Sequence, residues 1–389
     1  ITGTIAMNSI KIDPRSIGRD MLAGLIAAIA AIPDGMASAT LAGVNPVYGL
    51  YNLMVGTPVG ALFTSSVYMA VINTSAMALV VLEALAGFSG DEQLKALVTL
   101  TVMVGLFQLI LALLKLGYLT RFVSNSVMRG FLTGIGIVII LSQLPDFTGY
   151  AAQGSNKVTQ TLDLLGNMGQ VDPYTLGVGV LTIAIIVVLD RTRLSPVSML
   201  VALVVGALLV RLLSWDSVAL VGDTATIPNS LPRPVLPGLS YVPQLLIPAV
   251  AIGIIGLVQA TGVSQAYANP DGKYPEPDGD FRGQGLANIA AGFFQGLPVG
   301  GSVSGTALVV GAGAQTRWAN IFTGLFVAIG VLLFAGLIEQ LPMTALAGIL
   351  IYAGYQSIKP AEIRMVWNTN ALARFVMSLT LIATLLLPV

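Results

Sequence analysis

Apolar residues occur in long runs along this chain, separated by short polar connections, and this pattern predicts a succession of membrane-spanning helices. A polar, Pro-rich connection over residues 214–243 divides the runs into two series. The first series comprises 18–40, 46–63, 73–83, 94–114, 122–141, 176–189 and 197–213. The second comprises 246–268, 285–297, 305–314, 321–338, 343–356 and 372–387. We therefore expect an all-α polytopic membrane protein.

The two series predict two repeats of one structural unit. Residues 1–16 form an N-terminal segment, 17–213 a first repeat, 214–243 an extracellular connection and 244–389 a second repeat. The seven spans of the first repeat are an odd number, which places the two repeats in opposite orientations, as in many transporters. The second repeat has six spans, so we expect its last helix to be missing.

Basic residues indicate the orientation of these spans, because cytoplasmic loops carry an excess of Lys and Arg. With a cytoplasmic N-terminus, only Lys95, Lys157, Arg211 and Arg233 of the 18 Lys and Arg residues fall outside. This predicts a multi-pass protein of the cell (inner) membrane whose N-terminus is cytoplasmic.

Two stretches are too rich in Gly, Ser, Thr and Asn to be ordinary spans: residues 71–77 in the first repeat and 296–316 in the second. Their neutral donors are Asn73, Thr74 and Ser75, and Ser302, Ser304 and Thr306. We interpret each stretch as a half-helix that begins in mid-membrane, where unpaired N–H groups and the positive end of the helix dipole attract an anion. The alternative is that small polar residues simply allow close helix packing.

Two further polar residues lie inside predicted spans. Asp34 follows Pro33 in the first span, and a carboxylate is rare and costly there, which favours a proton-coupling or gating acid over a purely structural one. Gln259 lies in the first span of the second repeat, where it can orient a ligand or form an interhelical hydrogen bond, but it cannot change charge.

Composition excludes several classes of function. Apolar residues make up 55% of the chain and charged residues only 9%, with a mean hydropathy of +0.87. The absence of Cys and His argues against redox chemistry, zinc catalysis and any metal or cofactor, and 18 basic against 18 acidic residues gives no basic excess for nucleic acid. No set of nucleophile, base and oxyanion donors can be named, so we do not expect an enzyme.

Three segments resemble the sulfate permease (SulP) family of anion transporters: 20–51, which contains AIPDGMASAT, 130–149, which contains SQLPDFTG, and 283–316, which contains GLPVGGSVSGT. The resemblance extends over nearly the whole chain. It implies a fourteen-helix, seven-plus-seven inverted repeat, with a core domain that carries the anion and a gate domain that often mediates a homodimer. It also implies an elevator-like movement of the core. Members of the family usually continue into a cytoplasmic STAS domain, which we expect to be absent here.

The resemblance further implies an anion site formed by Asp34, Ser38, Thr74, Gln259, Val303 and Ser304. Combined with the polar stretches, the predicted substrate-binding residues are Ser38, Asn73, Thr74, Ser75, Gln259, Ser302, Val303, Ser304, Gly305 and Thr306. Three positions depart from the pattern of many relatives: Ile72-Asn73 stands in place of Gly-Pro, Gly305 in place of Arg, and Gln259 in place of the acid of sodium-coupled members.

These observations predict secondary active transport of a small inorganic anion of the sulfate or bicarbonate class, with the lipid bilayer as surroundings. Coupling would use a co-transported proton at Asp34, or exchange for another anion. Two alternatives stay open. One is a passive anion channel or voltage-responsive element of the same fold, and the other is a nucleobase transporter of the same architecture, against which Gln259 argues.

Overall fold

The chain forms two series of helices, each interrupted by one short strand. The computed structural model describes residues 14–117, 125–154, 157–224, 227 and 230–386. The first series contains α1 (Pro14–Leu41), α2 (Val47–Phe63), β1 (Ala70–Ile72), α3 (Ser75–Leu85), α4 (Gly90–Leu113), α5 (Asn125–Thr148), α6 (Lys157–Gly166), α7 (Pro173–Leu189) and α8 (Ser198–Leu213). After α9 (Val221–Thr224) come α10 (Val242–Ala266), α11 (Pro277–Phe293), β2 (Gly300–Ser302), α12 (Val303–Gly311), α13 (Trp318–Ile338), α14 (Met343–Ser357), α15 (Pro360–Trp367) and α16 (Ala371–Leu386).

Hydrophobicity identified the spans because each is a continuous apolar run. Within the described residues, five helices are long and apolar enough to cross a bilayer, and several shorter apolar helices accompany them. The predicted spans all fall on helices, although residues 122–124 and 387 lie outside the described residues.

Two predicted boundaries are wrong. Helix α11 begins at Pro277, whereas the sequence predicted a span that begins at residue 285. Pro277 occupies the first turn, and Asp278 and Asp280 favour a helix N-terminus. Helix α5 continues to Thr148 and contains Pro145, which the pattern had placed beyond the span. The polar helices α6 and α15 were not predicted, because neither has a long apolar run.

Helix packing confirms the inverted repeat. Helix α4 packs on α10 and α11, and α13 packs on α1 and α2. Likewise α5 packs on α16, and α14 packs on α7. Each helix has a counterpart in the other repeat: α1 and α10, α2 and α11, α4 and α13, α5 and α14, and α7 and α16. When both helices of one contact are replaced by their counterparts, the result is another of these contacts.

The helices also divide into two packed groups. Helices α1–α4 and α10–α13 contact one another, while α5, α7, α8, α14 and α16 form the second group. Helix α1 contacts α8 and α14 of the second group, and α3 contacts α5. The interrupted helices therefore belong to the first group, which corresponds to the expected core.

Small residues allow α1 and α2 to pack almost backbone to backbone. A Cβ atom added at Gly49 would lie 1.9 Å from the carbonyl oxygen of Gly35 and 3.2 Å from the Cβ of Ala39. Backbone atoms cannot move aside as a flexible side chain can, so this approach requires glycine.

We therefore expect Gly49→Ala to destabilise the protein by about 1–3 kcal/mol or more, because the helices must separate. Thermal unfolding of the purified protein in detergent should show a midpoint several degrees lower. Gly177→Ala on α7 is the matched control, since nothing lies within 4 Å of a Cβ added there. Equal midpoints for the two variants would contradict this account of α1–α2 packing.

Candidate functional site: two helix N-termini at a crossing sheet

The two interrupted helices are joined by a small antiparallel sheet, which we call the crossing sheet (β1 and β2). Its register pairs Ala70 with Ser302, Val71 with Gly301 and Ile72 with Gly300. Because the strands run in opposite directions, α3 and α12 leave the sheet at opposite ends, and the N-terminus of each is turned toward it. The prediction that two half-helices meet is thus confirmed, and their positive dipole ends converge on one place.

Glycine in β2 allows α10 to lie directly against the crossing sheet. A Cβ atom added at Gly300 would lie 2.9 Å from Met77 Cε and 3.0 Å from Gly256 Cα, and one added at Gly301 would lie 2.8 Å from Ala260 Cα. Gln259 is carried on this same helix, so the close packing of α10 brings its side chain to the start of α3.

The first turn of α3 has donors available. Thr74 is the N-cap residue with an extended backbone, but its side chain does not cap the helix. Instead, the Thr74 hydroxyl donates to Gln259 Oε1 over 3.1 Å. The first intrahelical bond runs from Ala78 N–H to the Thr74 carbonyl, so the N–H groups of the first turn, which begins at Ser75, lack an intrahelical acceptor.

The first turn of α12 is partly capped by its own side chains. Ser302 Oγ accepts from Gly305 N–H over 3.1 Å and lies 3.2 Å from Ser304 Oγ. Thr306 is fully buried: its hydroxyl donates to the Ser302 carbonyl over 2.6 Å and accepts from Ala70 N–H over 3.0 Å. Val303 and Ser304 are exposed. Thr306 therefore holds α12 against β1, and Ser304 remains accessible.

Asn73, like Thr306, makes its hydrogen bonds within the protein, and both ends of its amide are occupied. Its Oδ1 accepts from Asn52 Nδ2 over 2.7 Å, and its Nδ2 donates to the Gly35 carbonyl over 3.3 Å. The side chain is 2% exposed. The structure thus places Asn73 beside the site as a tie between helices rather than as a free donor.

Helix α1 brings two polar side chains without described partners to the half-helices, since it packs on both α3 and α12. Asp34 is partly exposed and makes no hydrogen bond or ion pair to a described residue. One turn further, Ser38 is completely buried, and its Oγ has no hydrogen-bond partner. A buried hydroxyl without a partner costs about 1–3 kcal/mol, which makes Ser38 a candidate donor to a ligand.

Two buried charged side chains secure the chain leading into β1. Asp280 accepts hydrogen bonds from the hydroxyls of Ser65, Ser66 and Ser264 and from Ser66 N–H. Arg317, only 7% exposed, donates to the carbonyls of Ala61, Leu62 and Thr64 at the end of α2. Neither Asp280 nor Arg317 stands out in the sequence, because the polar, Gly-containing segments around them have the composition of loops.

A third buried charge fixes the segment after α12. Asp20 of α1 accepts from the N–H groups of Gln315 and Thr316 and from the Thr316 hydroxyl. Within the described residues, no group of three or more His, Cys, Asp or Glu side chains could hold a metal ion.

Comparison with known proteins places this architecture in a family. The model of the sulfate permease family matches residues 17–380. The chain belongs to the sulfate permease family. A probable sulfate transporter 4.2 of Arabidopsis thaliana is 31% identical over 86% of the chain, and the bicarbonate transporter BicA of Picosynechococcus is 27% identical over 90%.

A solved structure supports the assignment. The transmembrane domain of a cyanobacterial bicarbonate transporter BicA superimposes with a TM-score of 0.85, at 27% identity, over 97% of both chains. The chain covers 51% and 63% of the lengths of the two full relatives. The fold expected of a sulfate permease is therefore confirmed, and the relatives carry the names of transporters rather than enzymes.

The Ser302 cap should control the stability of the first turn of α12. We expect Ser302→Ala to cost about 1 kcal/mol locally, and amide hydrogen exchange over residues 303–306 to become about fivefold faster. Ser302→Thr, which keeps a capping oxygen, is the control. Exchange that is equally slow in Ser302→Ala would show that the cap does not hold this turn.

Proposed function

We propose that this chain is a secondary transporter of a small inorganic anion of the sulfate or bicarbonate class. The observation that carries the proposal is the convergence of two uncapped or partly capped helix N-termini on the crossing sheet. Helix α1, which contacts both α3 and α12, adds the unpartnered Ser38 hydroxyl. Membership of the sulfate permease family, and relatives named as sulfate and bicarbonate transporters, support the choice of substrate.

The attraction for an anion would come from dipoles and neutral donors. Helices α3, α10 and α12 contain no Lys or Arg. At Gly305 an added Cβ atom would lie 3.0 Å from Ile72 Cδ1 and 3.2 Å from Ala70 Cβ, so β1 leaves little room for a long basic side chain. A site without a fixed cation suits an anion that must bind and leave quickly.

In this proposal the substrate-binding groups are Ser38, Thr74, Ser75, Gln259, Val303, Ser304 and Gly305, with Asn73, Ser302 and Thr306 holding the backbone around them. Transport would move the core group of helices against the second group in an elevator-like step. The second group would form the contact of a homodimer. The protein would lie in the cell (inner) membrane with its N-terminus in the cytoplasm.

Coupling would use Asp34 or anion exchange, because uptake against an inside-negative potential needs a compensating ion. Four helices that contact α1 carry no Asp, Glu, Lys or Arg, namely α2, α12, α13 and α14. On the other neighbours, charged residues are confined to Glu83 of α3, Arg211 of α8, and Arg129 and Asp146 of α5. Asp34 is thus the acid best placed to exchange a proton beside the anion.

Uptake of radiolabelled sulfate and of bicarbonate into proteoliposomes tests the transport proposal. We expect saturable uptake and counterflow by unlabelled anions of the preferred class. An anion current that does not saturate would favour the channel, and uptake of a nucleobase without anion uptake would favour the nucleobase transporter.

Ser38→Ala should raise the KM for the anion about five- to tenfold, since a donor to the bound anion is lost without any change in protein hydrogen bonds. The matched control is Ser142→Ala on α5, where the hydroxyl donates to the Ile139 carbonyl of its own helix. If Ser38→Ala leaves the KM unchanged, Ser38 is not a ligand of the anion.

Asp34→Asn should leave anion binding intact and abolish the dependence of uptake on pH, because the amide cannot take up or release a proton. Initial rates between pH 5.5 and 8, with and without a pH gradient, measure this. Glu83→Gln, an exposed acid at the end of α3, is the control and should keep the wild-type profile. If the pH dependence persists in Asp34→Asn, Asp34 does not couple uptake to protons, and anion exchange remains as the proposed coupling.

A further inference from the structure

Two buried amides tie the first half-helix to α1. Asn52 of α2, completely buried, donates through Nδ2 to Asn73 Oδ1 over 2.7 Å. Asn73 lies between β1 and α3 and donates to the Gly35 carbonyl of α1 over 3.3 Å. We call this series of contacts the amide strut (Asn52, Asn73 and the Gly35 carbonyl). It joins the beginning of α3 to the residue next to Asp34.

The second repeat contains a related arrangement, which lies before β2 rather than after it. Asn288 of α11, the counterpart of α2, donates to the Val299 carbonyl and accepts from Val299 N–H, at the entrance to β2. Asn288 also donates to Gln108 Oε1, and Gln108 donates to the Gly253 carbonyl of α10, the counterpart of α1. Side-chain amides therefore tie the start of α3 in the first repeat, and the entrance to β2 in the second, to the first helix of the same repeat.

The two arrangements differ in how completely they are satisfied. Asn288 uses both its oxygen and its nitrogen, whereas Asn52 Oδ1 is buried and has no hydrogen-bond partner. A buried amide oxygen left without a partner costs free energy, so an apolar residue at position 52 would avoid that cost. Stability alone therefore does not explain an asparagine at position 52, whereas its effect on the position of Asn73 does.

We propose that Asn52 is a positioning residue that acts through Asn73 to set where α3 begins, and thereby sets the affinity for the transported anion. The inference rests on the proposed function. Asn73 directly precedes Thr74, whose hydroxyl contacts Gln259, and the free N–H groups begin at Ser75. Because the dipole and these donors act only over short distances, a small shift of the first turn weakens the attraction.

The test compares Asn52→Ala, Asn73→Ala and the double variant by anion uptake in proteoliposomes. Each single variant should raise the KM about tenfold while the maximal rate changes less than about twofold, because the donors remain but lose their position. The double variant should resemble either single variant, since all three break the same strut. Thr323→Val on α13 is the control for loss of a buried hydrogen bond, because that hydroxyl donates only to its own helix at the Ala319 carbonyl.

Amide hydrogen exchange gives a second readout that does not require transport. Asn52→Ala and Asn73→Ala should accelerate exchange over residues 74–80 about tenfold, while residues 303–311 exchange as in the wild type. An unchanged KM, or effects of the single variants that multiply in the double variant, would overturn the proposal, as would unchanged exchange over residues 74–80. If the wild-type protein takes up neither anion, the proposed function is refuted. Amide hydrogen exchange would then still decide whether the strut positions α3.

Discussion

The site depends on one constraint: backbone polar groups inside a bilayer must find partners within the protein. Interrupting two helices in mid-membrane exposes such groups, and the crossing sheet pairs them across three residues of each strand. That pairing also determines the geometry of the site, because antiparallel strands send α3 and α12 away in opposite directions. The same feature that makes the interruption tolerable therefore brings two helix N-termini together.

The proposed chemistry follows from what surrounds these N-termini. Neutral hydroxyls, an amide and helix dipoles supply the positive potential, and the helices that carry them have no basic residue. An arrangement of this kind can attract an anion without holding it by a full opposite charge. Three other charged residues of the core, Asp20, Asp280 and Arg317, are buried in contacts that fix backbone segments around the site.

These buried contacts explain how a site made of weak donors keeps its shape. Asp280 and Arg317 hold the segment that enters β1, Asp20 holds the segment that leaves α12, and amides tie each strand to the first helix of its repeat. The ties made by Asp20, Asp280 and Arg317 join residues far apart in sequence. A donor displaced by even a fraction of a hydrogen-bond length contributes less, so the precision of the site resides in these ties.

The sequence alone determined the spans, the two interruptions, the inverted repeat and the unusual position of Asp34, because each is recorded in local hydrophobicity, in small polar residues or in an odd count of spans. It misjudged the start of α11 and the end of α5, and it did not single out Asp280 or Arg317, whose side chains are buried in the structure. It also treated Asn73 as a free donor, although Asn52 and Gly35 occupy its amide. Only the tertiary structure decided these points, because a hydrogen bond between distant segments leaves no periodic trace in either segment.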